Sequence, residues 1–426
     1  MAEAKLKREL GLFQTTLAGV GIILGAGIYV LIGAAAGITG NSIWLSFLIG
    51  SVVALFTGLS YAELSSIYPK DSAEYSYTEK SFGKGTAFFI GYLVLLSSII
   101  SASAVAIGFS GYLGSLLHID QIILISMGLI LLLSYVNFRS IKGSSWMNIV
   151  CTLIEMAGLL IIIALGLFKG FSAHQAINYF EMPNGFSGVL QTSALVFFAF
   201  IGFESVVKLS EETKNPTKTI PKALILSVII STVLYIAVAI SAITVLDWQT
   251  LGASKAPLAD VASMLLGNNA FILLSIIALF STANTVLISL IAGSRALYGI
   301  SNEYKKIKIF TKVHPKHRTP HIAVLFVMII SLMFCFIKEI DLIAELTNFT
   351  IFITFALINL SLIVLRYKYP NLERPYKAPL NIGKFPIMAF LGIITCLFLI
   401  TQLNPVVLLG GIILSVLGFV FYAFLK

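Results

Sequence analysis

Long apolar segments recur along this chain of 426 residues and restrict what it can fold into. About 20 consecutive apolar residues in a helix cross the hydrocarbon core of a bilayer. Only helices and closed barrels satisfy their backbone polar groups there. We therefore predict an all-α integral membrane protein with about 12 transmembrane helices. The spans are placed at residues 12–36, 42–67, 86–117, 120–137, 145–168, 187–208, 220–246, 268–299, 320–337, 341–367, 385–402 and 404–425.

The net charge of +9 comes from an uneven distribution of lysine and arginine. With the N-terminus placed in the cytoplasm, all but three of the 28 basic residues fall in cytoplasmic segments. The outer loops keep Lys169, Lys255 and Lys338. By the positive-inside rule, this asymmetry predicts a multi-pass protein of the cytoplasmic membrane with both termini in the cytoplasm. The basic excess then indicates contact with anionic membrane lipid and not a nucleic-acid partner.

Other features limit the chemistry of the chain. The N-terminus MAEAKLKREL lacks the apolar core of a signal peptide, so we expect it to be retained. The cysteines fall in apolar spans without metal-type spacing and are interpreted as small core residues. The histidines in and just after the basic loop 300–319 lack acidic or cysteine neighbours, so we predict a solvated loop and no metal site. These residues are Cys151, Cys335, Cys396, His314, His317 and His321.

Glycines interrupt two of the predicted spans. The stretch GVGIILGAGIYVLIG, residues 19–33, collects four glycines around the centre of span 1, and span 6 carries Gly202 and Glu204 inside an apolar run. Broken helices in corresponding positions of two halves indicate a transporter built from inverted repeats. We therefore expect a 5+5 inverted repeat of residues 12–168 and 187–367, followed by two helices in 385–425. A GxxxG packing motif is the alternative reading of the span 1 glycines alone.

A helix that is broken at the bilayer midplane leaves backbone groups that need a partner. Amide groups at the start of a half-helix favour an anion, because the positive end of the helix dipole lies behind them. Carbonyls freed at the ends of half-helices accept from a cation. A site with donors and acceptors suits a zwitterion, which predicts an amino acid as the substrate. The donors are placed at Gly25, Ala26 and Gly27, and the acceptors at Ile23, Phe198, Ala199 and Ile201.

The glycine stretch, YAELSSIYP (61–69) and FFAFIGFESVVKLSEETKNPTKTIPKAL (197–224) together resemble the amino acid–polyamine–organocation superfamily, nearest its cationic amino acid transporter branch. The resemblance implies the five-plus-five fold, alternating access and a substrate held at the two breaks. It also implies that residues 25–27 bind the carboxylate, that the carbonyls of Ile23, Ala199 and Ile201 bind the amine, and that Phe198 is an aromatic gate. PKDSAEYSY departs from the usual Pro-x-Ser-Gly-Gly-x-Tyr pattern at Ala73 and Glu74. Residues 68–85 are expected to form a short surface helix.

Acidic residues at membrane depth each cost about 2.5–3.5 kcal/mol on insertion scales, so each requires a reason. Glu204 falls where the second half of span 6 should begin, and both a helix-capping role and a gating proton site are open. Glu63, at the cytoplasmic end of span 2, is expected to be an interfacial residue that contacts loops.

Glu155 lies at the centre of span 5, below a polar stripe of Ser145, Asn148 and Thr152. In proton-coupled members of the family that the chain resembles, a lysine in this region replaces a sodium ion between spans 1 and 8. Span 5 has no lysine here, and our alignment puts Glu155 in its place. A buried carboxyl favours its neutral form, which suits a coupling proton carrier. A cation site and a purely structural acid are the alternatives, with Ser281, Thr282 and Thr285 of span 8 as the oxygen ligands of the cation.

The sequence therefore predicts a secondary active transporter of a neutral amino acid, coupled to protons, with sodium as the alternative ion and no cofactor. An obligate exchanger and a carrier of cationic amino acids are the nearest alternatives. A membrane-embedded enzyme is disfavoured because no His–acid, Ser–His or Cys–His cluster lies at membrane depth. A nutrient sensor is disfavoured because no signalling domain follows or precedes the spans. The oligomeric state is left open between a monomer and a homodimer.

Overall fold

The computed structural model describes residues 8–69, 73–139, 145–172 and 177–425, without the side chains of residues 145–150, 171 and 172. Within these residues the fold is built from helices, with one short two-stranded ladder, so the predicted all-α membrane class is confirmed. Nine helices are long and apolar enough to cross a membrane in the described part of the chain, and four shorter apolar helices accompany them. The predicted count of twelve spans, and their division into two repeats, stays a prediction.

The helix bounds agree with the predicted spans to within a few residues. The helices are α1 (Leu12–Leu24), α2 (Gly27–Thr39), α3 (Ile43–Ile67), α4 (Ala73–Phe82), α5 (Lys84–Leu117), α6 (Ile122–Arg139), α7 (Ser145–Ser172), α8 (Gly185–Val196), α9 (Pro216–Val245), α10 (Trp248–Ala253), α11 (Pro257–Leu266), α12 (Asn268–Glu303), α13 (His321–Phe334), α14 (Ile340–Lys368), α15 (Ile387–Ile400) and α16 (Pro405–Leu425). Strands β1 (Asn381–Ile382) and β2 (Phe385–Pro386) pair antiparallel between α14 and α15.

Span 1 is broken into α1 and α2, as the glycines predict. α1 ends at Leu24, and α2 begins at Gly27 after the turn at Gly25 and Ala26. Span 6 is broken as well, because α8 ends at Val196 and continues as two 3-10 segments, Phe197–Phe200 and Phe203–Leu209. Gly202, between these segments, has φ +125°, a conformation that L side chains rarely adopt. Both predicted breaks are therefore present.

The two broken spans lie in the interior of the bundle. α1 packs against α9 and the 203–209 segment, while α5 packs closely against both α12 and α14 elsewhere in the core. α6 and α16 are mostly exposed apolar helices, with 28% and 17% of their spanning windows buried. Exposed leucine and valine on such helices are suited to contact with lipid tails, so the breaks are shielded and the periphery faces the bilayer.

Helix α4 corrects the expected surface helix between spans 2 and 3. The helix exists, but one of its faces is buried against α5 and α14. The charged and aromatic residues of the segment suggested an exposed helix, whereas helical periodicity places most of its small residues on a single inward face. The buried residues of α4 are Ala73, Glu74, Tyr77, Thr78 and Ser81.

Candidate functional site

The two helix breaks touch each other. A Cβ atom added to Gly27 would lie 2.5 Å from the Cα of Ala199, and one added to Gly202 would lie 2.9 Å from the carbonyl oxygen of Ile22. Real Cβ atoms do not approach backbone that closely, so glycine at both positions is required by the contact. Two breaks that lie far apart in the sequence thus form one site.

The start of α2 supplies backbone donors at this site. The first amide groups of a helix have no carbonyl partner within the helix, and here they follow the turn at Gly25 and Ala26. The Ala26 amide donates to Oγ1 of Thr285 at 3.1 Å, and that hydroxyl donates to the Ser281 carbonyl at 3.0 Å. Thr285 was predicted as an ion ligand. The structure places it at the turn that was predicted to bind carboxylate, linking α12 to the span 1 break.

Carbonyl acceptors lie on the other side of the touching breaks. The Tyr235 hydroxyl lies 2.7 Å from the Ile23 carbonyl oxygen and 2.9 Å from that of Ala199, and the Tyr235 side chain is fully buried. A phenol has one proton, so it can donate to only one of these two acceptors at a time. The two carbonyls predicted to bind an amine are therefore brought together by a residue of α9 that sequence reasoning missed.

Phe198 and Ile201 lie in the broken part of span 6. The Phe198 carbonyl accepts the Ile201 amide at 3.3 Å, so this carbonyl is already used within its own turn. The Phe198 side chain is 6% exposed. Ile201 follows in an extended conformation, with φ −59° and ψ +130°, which takes its carbonyl out of the helical pattern. The predicted gate and the predicted third carbonyl are therefore adjacent to the contact of the breaks.

Glu155 of α7 lies beside the span 1 break. Its own carbonyl accepts the Tyr29 hydroxyl at 2.6 Å, and its side chain is 1% exposed. The carboxyl faces Ser281 and Asn284 of α12. Among the described residues, neither Oε1 of Glu155 nor the Ser281 hydroxyl makes a hydrogen bond of regular geometry, although the two groups lie close together. Buried polar atoms are normally paired, so this corner of the site has unfilled hydrogen-bonding capacity.

Other residues predicted around Glu155 differ in their contacts. Thr152 packs against Gly21, next to the broken span. The Thr282 hydroxyl donates to the Ala278 carbonyl of its own helix at 2.7 Å, which is the common behaviour of threonine in membrane helices. The side chains of Ser145 and Asn148, the outer part of the predicted polar stripe, lie outside the described residues. Asn284 was not predicted as a site residue, because an amide in an apolar span has no distinctive spacing.

Glu204 caps the broken end of span 6. Its Oε2 accepts the Gly202 amide at 2.9 Å. This geometry matches the helix-capping role that the sequence left open beside a gating proton site, and the proton role stays a prediction. The capped turn is the one that touches Ile22, so Glu204 stabilises the backbone of the contact between the two breaks.

Glu63 differs from the interfacial residue that was expected. It does contact a loop, since it accepts the Ala378 amide at 2.8 Å, but its side chain is fully buried. Its carboxylate is paired with Arg366 at 2.5 Å and with Arg374 at 3.3 Å. Both arginines follow Glu63 by about 300 residues, and the sequence offers no local signal for such a distant pair. Glu63 thus connects α3, α14 and the following loop.

The histidines of the 300–319 region do come together. His314 stacks on His317 with ring centroids 5.0 Å apart and meets His321 edge-on at 5.7 Å. In the described residues, no group of three or more histidine, cysteine or acidic side chains could hold a metal ion. Phe138 lies against two of the rings, at 5.2 and 4.8 Å, so the cluster packs on the end of α6. The three cysteines are free thiols.

Several known proteins that this chain resembles are named as permeases or transporters. The family model described as "Amino acid permease" matches residues 10–423. The chain is 32% identical to the branched-chain amino acid permease BcaP of Bacillus subtilis, across 99% of this chain and 93% of that protein. It is 30% identical to the methylthioribose transporter of Bacillus subtilis, across 98% and 93%. It is 31% identical to human cationic amino acid transporter 4, across 86% of this chain and 61% of that protein.

Proposed function

The chain belongs to the amino acid permease family and is a membrane transporter, not an enzyme; from this premise we propose that it carries a neutral amino acid across the cytoplasmic membrane by alternating access, together with a proton. The observation that carries the proposal is the contact of the two breaks at Gly27 and Ala199. That contact places the amide groups at the start of α2 next to Ala199, whose carbonyl shares the Tyr235 hydroxyl with the carbonyl of Ile23.

The ends of an amino acid match these two groups. A carboxylate at the turn of residues 25–27 would accept backbone amides and lie at the positive end of the α2 dipole. An ammonium group at the Ile23 and Ala199 carbonyls would supply protons that the single Tyr235 hydroxyl lacks. The site therefore recognises the backbone of the substrate, and the substrate side chain extends into the space between spans.

The composition of the neighbouring spans favours a neutral side chain. Residues 86–117 of α5 contain no charged residue, and neither does α12 before Arg295. A cationic head buried there without a carboxylate would lose several kcal/mol. Among the relatives, the permease of Bacillus subtilis is named for branched-chain amino acids, whereas the human relative is named for cationic ones. The charge-free spans lead us to propose the neutral class.

Glu155 is proposed as the carrier of the coupling proton. When protonated, its carboxyl can donate to the Ser281 hydroxyl or the Asn284 amide oxygen, and this would fill the unused capacity of that corner. When ionised, the same buried carboxylate would favour a cation, so sodium is the competing ion. Because Glu155 holds Tyr29 of α2 through its own carbonyl, a change at this residue can reach the span 1 break.

The membrane orientation is part of the proposal. The lysine and arginine distribution places α4, the 300–319 loop and both termini in the cytoplasm. Backbone hydrogen bonds join Glu9 and Leu10 to residues 212–214, so the start of α1 and the end of span 6 lie on one face. We call this the amino-terminal face and assign it to the cytoplasm.

Uptake into proteoliposomes tests the proposed function. Labelled alanine, leucine, arginine and lysine are offered under an imposed pH gradient, a sodium gradient, or with unlabelled amino acid inside. We expect alanine and leucine to accumulate when the outside is more acidic, without sodium and without internal amino acid. Uptake that requires internal amino acid would establish an exchanger. Uptake that requires a sodium gradient would identify sodium, and not the proton, as the coupling ion. Transport of arginine and lysine alone would overturn the neutral assignment.

A further inference from the structure

A cluster of polar groups on α3, α4 and span 6 contains Glu74, Lys208, Tyr61 and Tyr77, which the steps above do not use, together with the capping residue Glu204. Glu74, in the first turn of α4, has a side chain that is 9% exposed. Its Oε1 lies 4.0 Å from Nζ of Lys208, at the end of the 203–209 segment. Glu204, one turn earlier in the same segment, lies close enough to interact electrostatically with both.

Two tyrosine hydroxyls of the same cluster lack a regular hydrogen bond. Tyr61 of α3 and Tyr77 of α4 are fully buried, with ring centroids 6.3 Å apart, and both interact electrostatically with Glu74. Within the part of the chain that the structure describes, neither hydroxyl makes a hydrogen bond of regular geometry, although the Tyr61 hydroxyl lies close to the Glu74 carboxylate. Buried tyrosine hydroxyls usually find a partner, so these two indicate a ligand position that is not filled in this conformation.

The charges of the cluster identify the chemistry of that ligand. Two carboxylates, of Glu74 and Glu204, lie near one ammonium, that of Lys208. At 4.0 Å the Lys208–Glu74 contact is longer than a hydrogen bond; the ammonium lies 3.5 Å from the Ser205 hydroxyl, to which it donates, and the lysine side chain is 39% exposed. Carboxylate and phenol oxygens can all accept from an ammonium group, which carries three protons.

We propose that the carboxylates of Glu74 and Glu204 and the hydroxyls of Tyr61 and Tyr77 form an ammonium site that Lys208 enters, latching α4 to the second half of span 6. The structure shows the lysine at the entrance of this site. Full engagement holds the 203–209 segment against α4 and closes the amino-terminal face. Because this segment continues from Gly202, which touches Ile22, release of the latch loosens the contact between the two breaks.

The proposal rests on the transport function, since a latch matters where a substrate has to leave. Glu74 and Lys208 are positioning residues in this scheme, because they hold the segment and do not touch the substrate. The readout therefore has to report on the position of the segment itself and not on transport alone.

Cysteine accessibility provides that readout. Ser210 directly follows the segment and is 1% exposed. A Ser210→Cys reporter is built in a chain whose Cys151, Cys335 and Cys396 are replaced by alanine, and its labelling by an impermeant maleimide is timed from the amino-terminal face without substrate. Glu74→Gln and Lys208→Gln should each speed labelling by about fivefold or more. The double variant should be no faster than either single one, because both changes remove the same contact.

Matched variants separate a latch from a general loss of packing. Glu79→Gln, the same change elsewhere on α4, should label at the parent rate. Tyr77→Phe should speed labelling, because it removes one acceptor for the ammonium. The exchange of charges in Glu74→Lys with Lys208→Glu should restore slow labelling.

Three outcomes would overturn the latch: single variants that label as slowly as the parent, single effects that add in the double variant, or Tyr77→Phe at the parent rate. Labelling needs no substrate, so the latch is tested even if no amino acid is transported. If the parent protein labels slowly at the Ser210→Cys reporter but binds no amino acid, the proposed transport function is refuted and the latch is not.

Discussion

Replacement of Tyr235 by phenylalanine tests how the amine side of the site is built. The change removes one hydroxyl from between two carbonyl oxygens, at 2.7 and 2.9 Å, and leaves a ring of nearly the same shape in a fully buried position. A buried acceptor left without its partner costs about 1–3 kcal/mol. If that cost falls on the arrangement that binds substrate, the affinity drops by about 5- to 150-fold.

The matched control is Tyr112→Phe. Tyr112 is also fully buried, and its hydroxyl also donates to a backbone carbonyl, that of Tyr29 at 2.9 Å, but it does not lie at the contact of the breaks. Both variants should unfold at a lower temperature than the parent. Only Tyr235→Phe should raise KM for uptake and weaken binding of labelled leucine. Equal binding constants in the two variants and the parent would refute the idea that Tyr235 organises the amine site.

Three further outcomes are expected. Glu155→Gln should keep one-for-one exchange and lose accumulation driven by a pH gradient, since glutamine mimics the protonated acid and cannot release a proton; proton-driven accumulation at the parent level would refute the coupling role. Thr285→Val should tighten leucine binding by about 2- to 10-fold in a direct binding assay, because the Ala26 amide, which Thr285 accepts in the unliganded protein, becomes free for the substrate carboxylate; unchanged affinity would remove Thr285 from the site. Asp247→Ala should cost about 1 kcal/mol of stability, because Asp247 caps α10 by accepting the Thr250 amide. That hydrogen bond lowers the pKa of Asp247 in the folded protein, so the stability is present at neutral pH and lost as the pH falls through the lowered pKa. The difference in melting temperature between parent and variant should therefore narrow only in acid.

A buried acid supplies a control for the coupling prediction. The Glu345 carboxylate of α14 accepts the Asn404 amide at 2.7 Å, next to the start of α16. Glu345→Gln should lower thermal stability through the weakened cap while proton-driven accumulation remains. If Glu345→Gln and Glu155→Gln lose accumulation alike, the effect of Glu155 is structural.

The fold was predictable because its determinants are local in the sequence. Apolar runs give the helices, and glycines at the centre of spans 1 and 6 give the breaks, since glycine is needed where the backbone leaves the helix or touches another backbone. The contact of Gly27 with Ala199 is the structural consequence of two local signals that could each be read separately.

The partners of the site residues were less predictable because they are distant in sequence. Tyr235 lies in an apolar span where tyrosine is unremarkable, and only the fold brings its hydroxyl to Ile23 and Ala199. Glu63 reads as an interfacial acid until Arg366 is seen to pair with it in the interior. Charge and polarity in a membrane chain therefore show that a residue needs a partner without showing which partner it has.

The burial of α4 was also not predictable from the sequence. Its sequence mixes charged with aromatic residues, and this composition suggests an exposed helix. The structure buries Glu74 because α4 packs against α5 and α14, and it brings Lys208 and two tyrosines near the carboxylate. Burial of a charged residue is decided by what other elements bring to it, and sequence periodicity alone cannot supply that information.

Equilibrium binding of labelled leucine to purified protein tests most directly whether the touching breaks form the substrate site. The parent is compared with Gly27→Val, whose side chain would collide with Ala199 at the contact, and with Gly128→Val on α6, where an added Cβ meets nothing within 4 Å. Both variants should remain folded as membrane-inserted, monodisperse protein. The account predicts that the parent and Gly128→Val bind leucine with the same affinity while Gly27→Val binds none. Leucine binding by Gly27→Val at the affinity of the parent would contradict it.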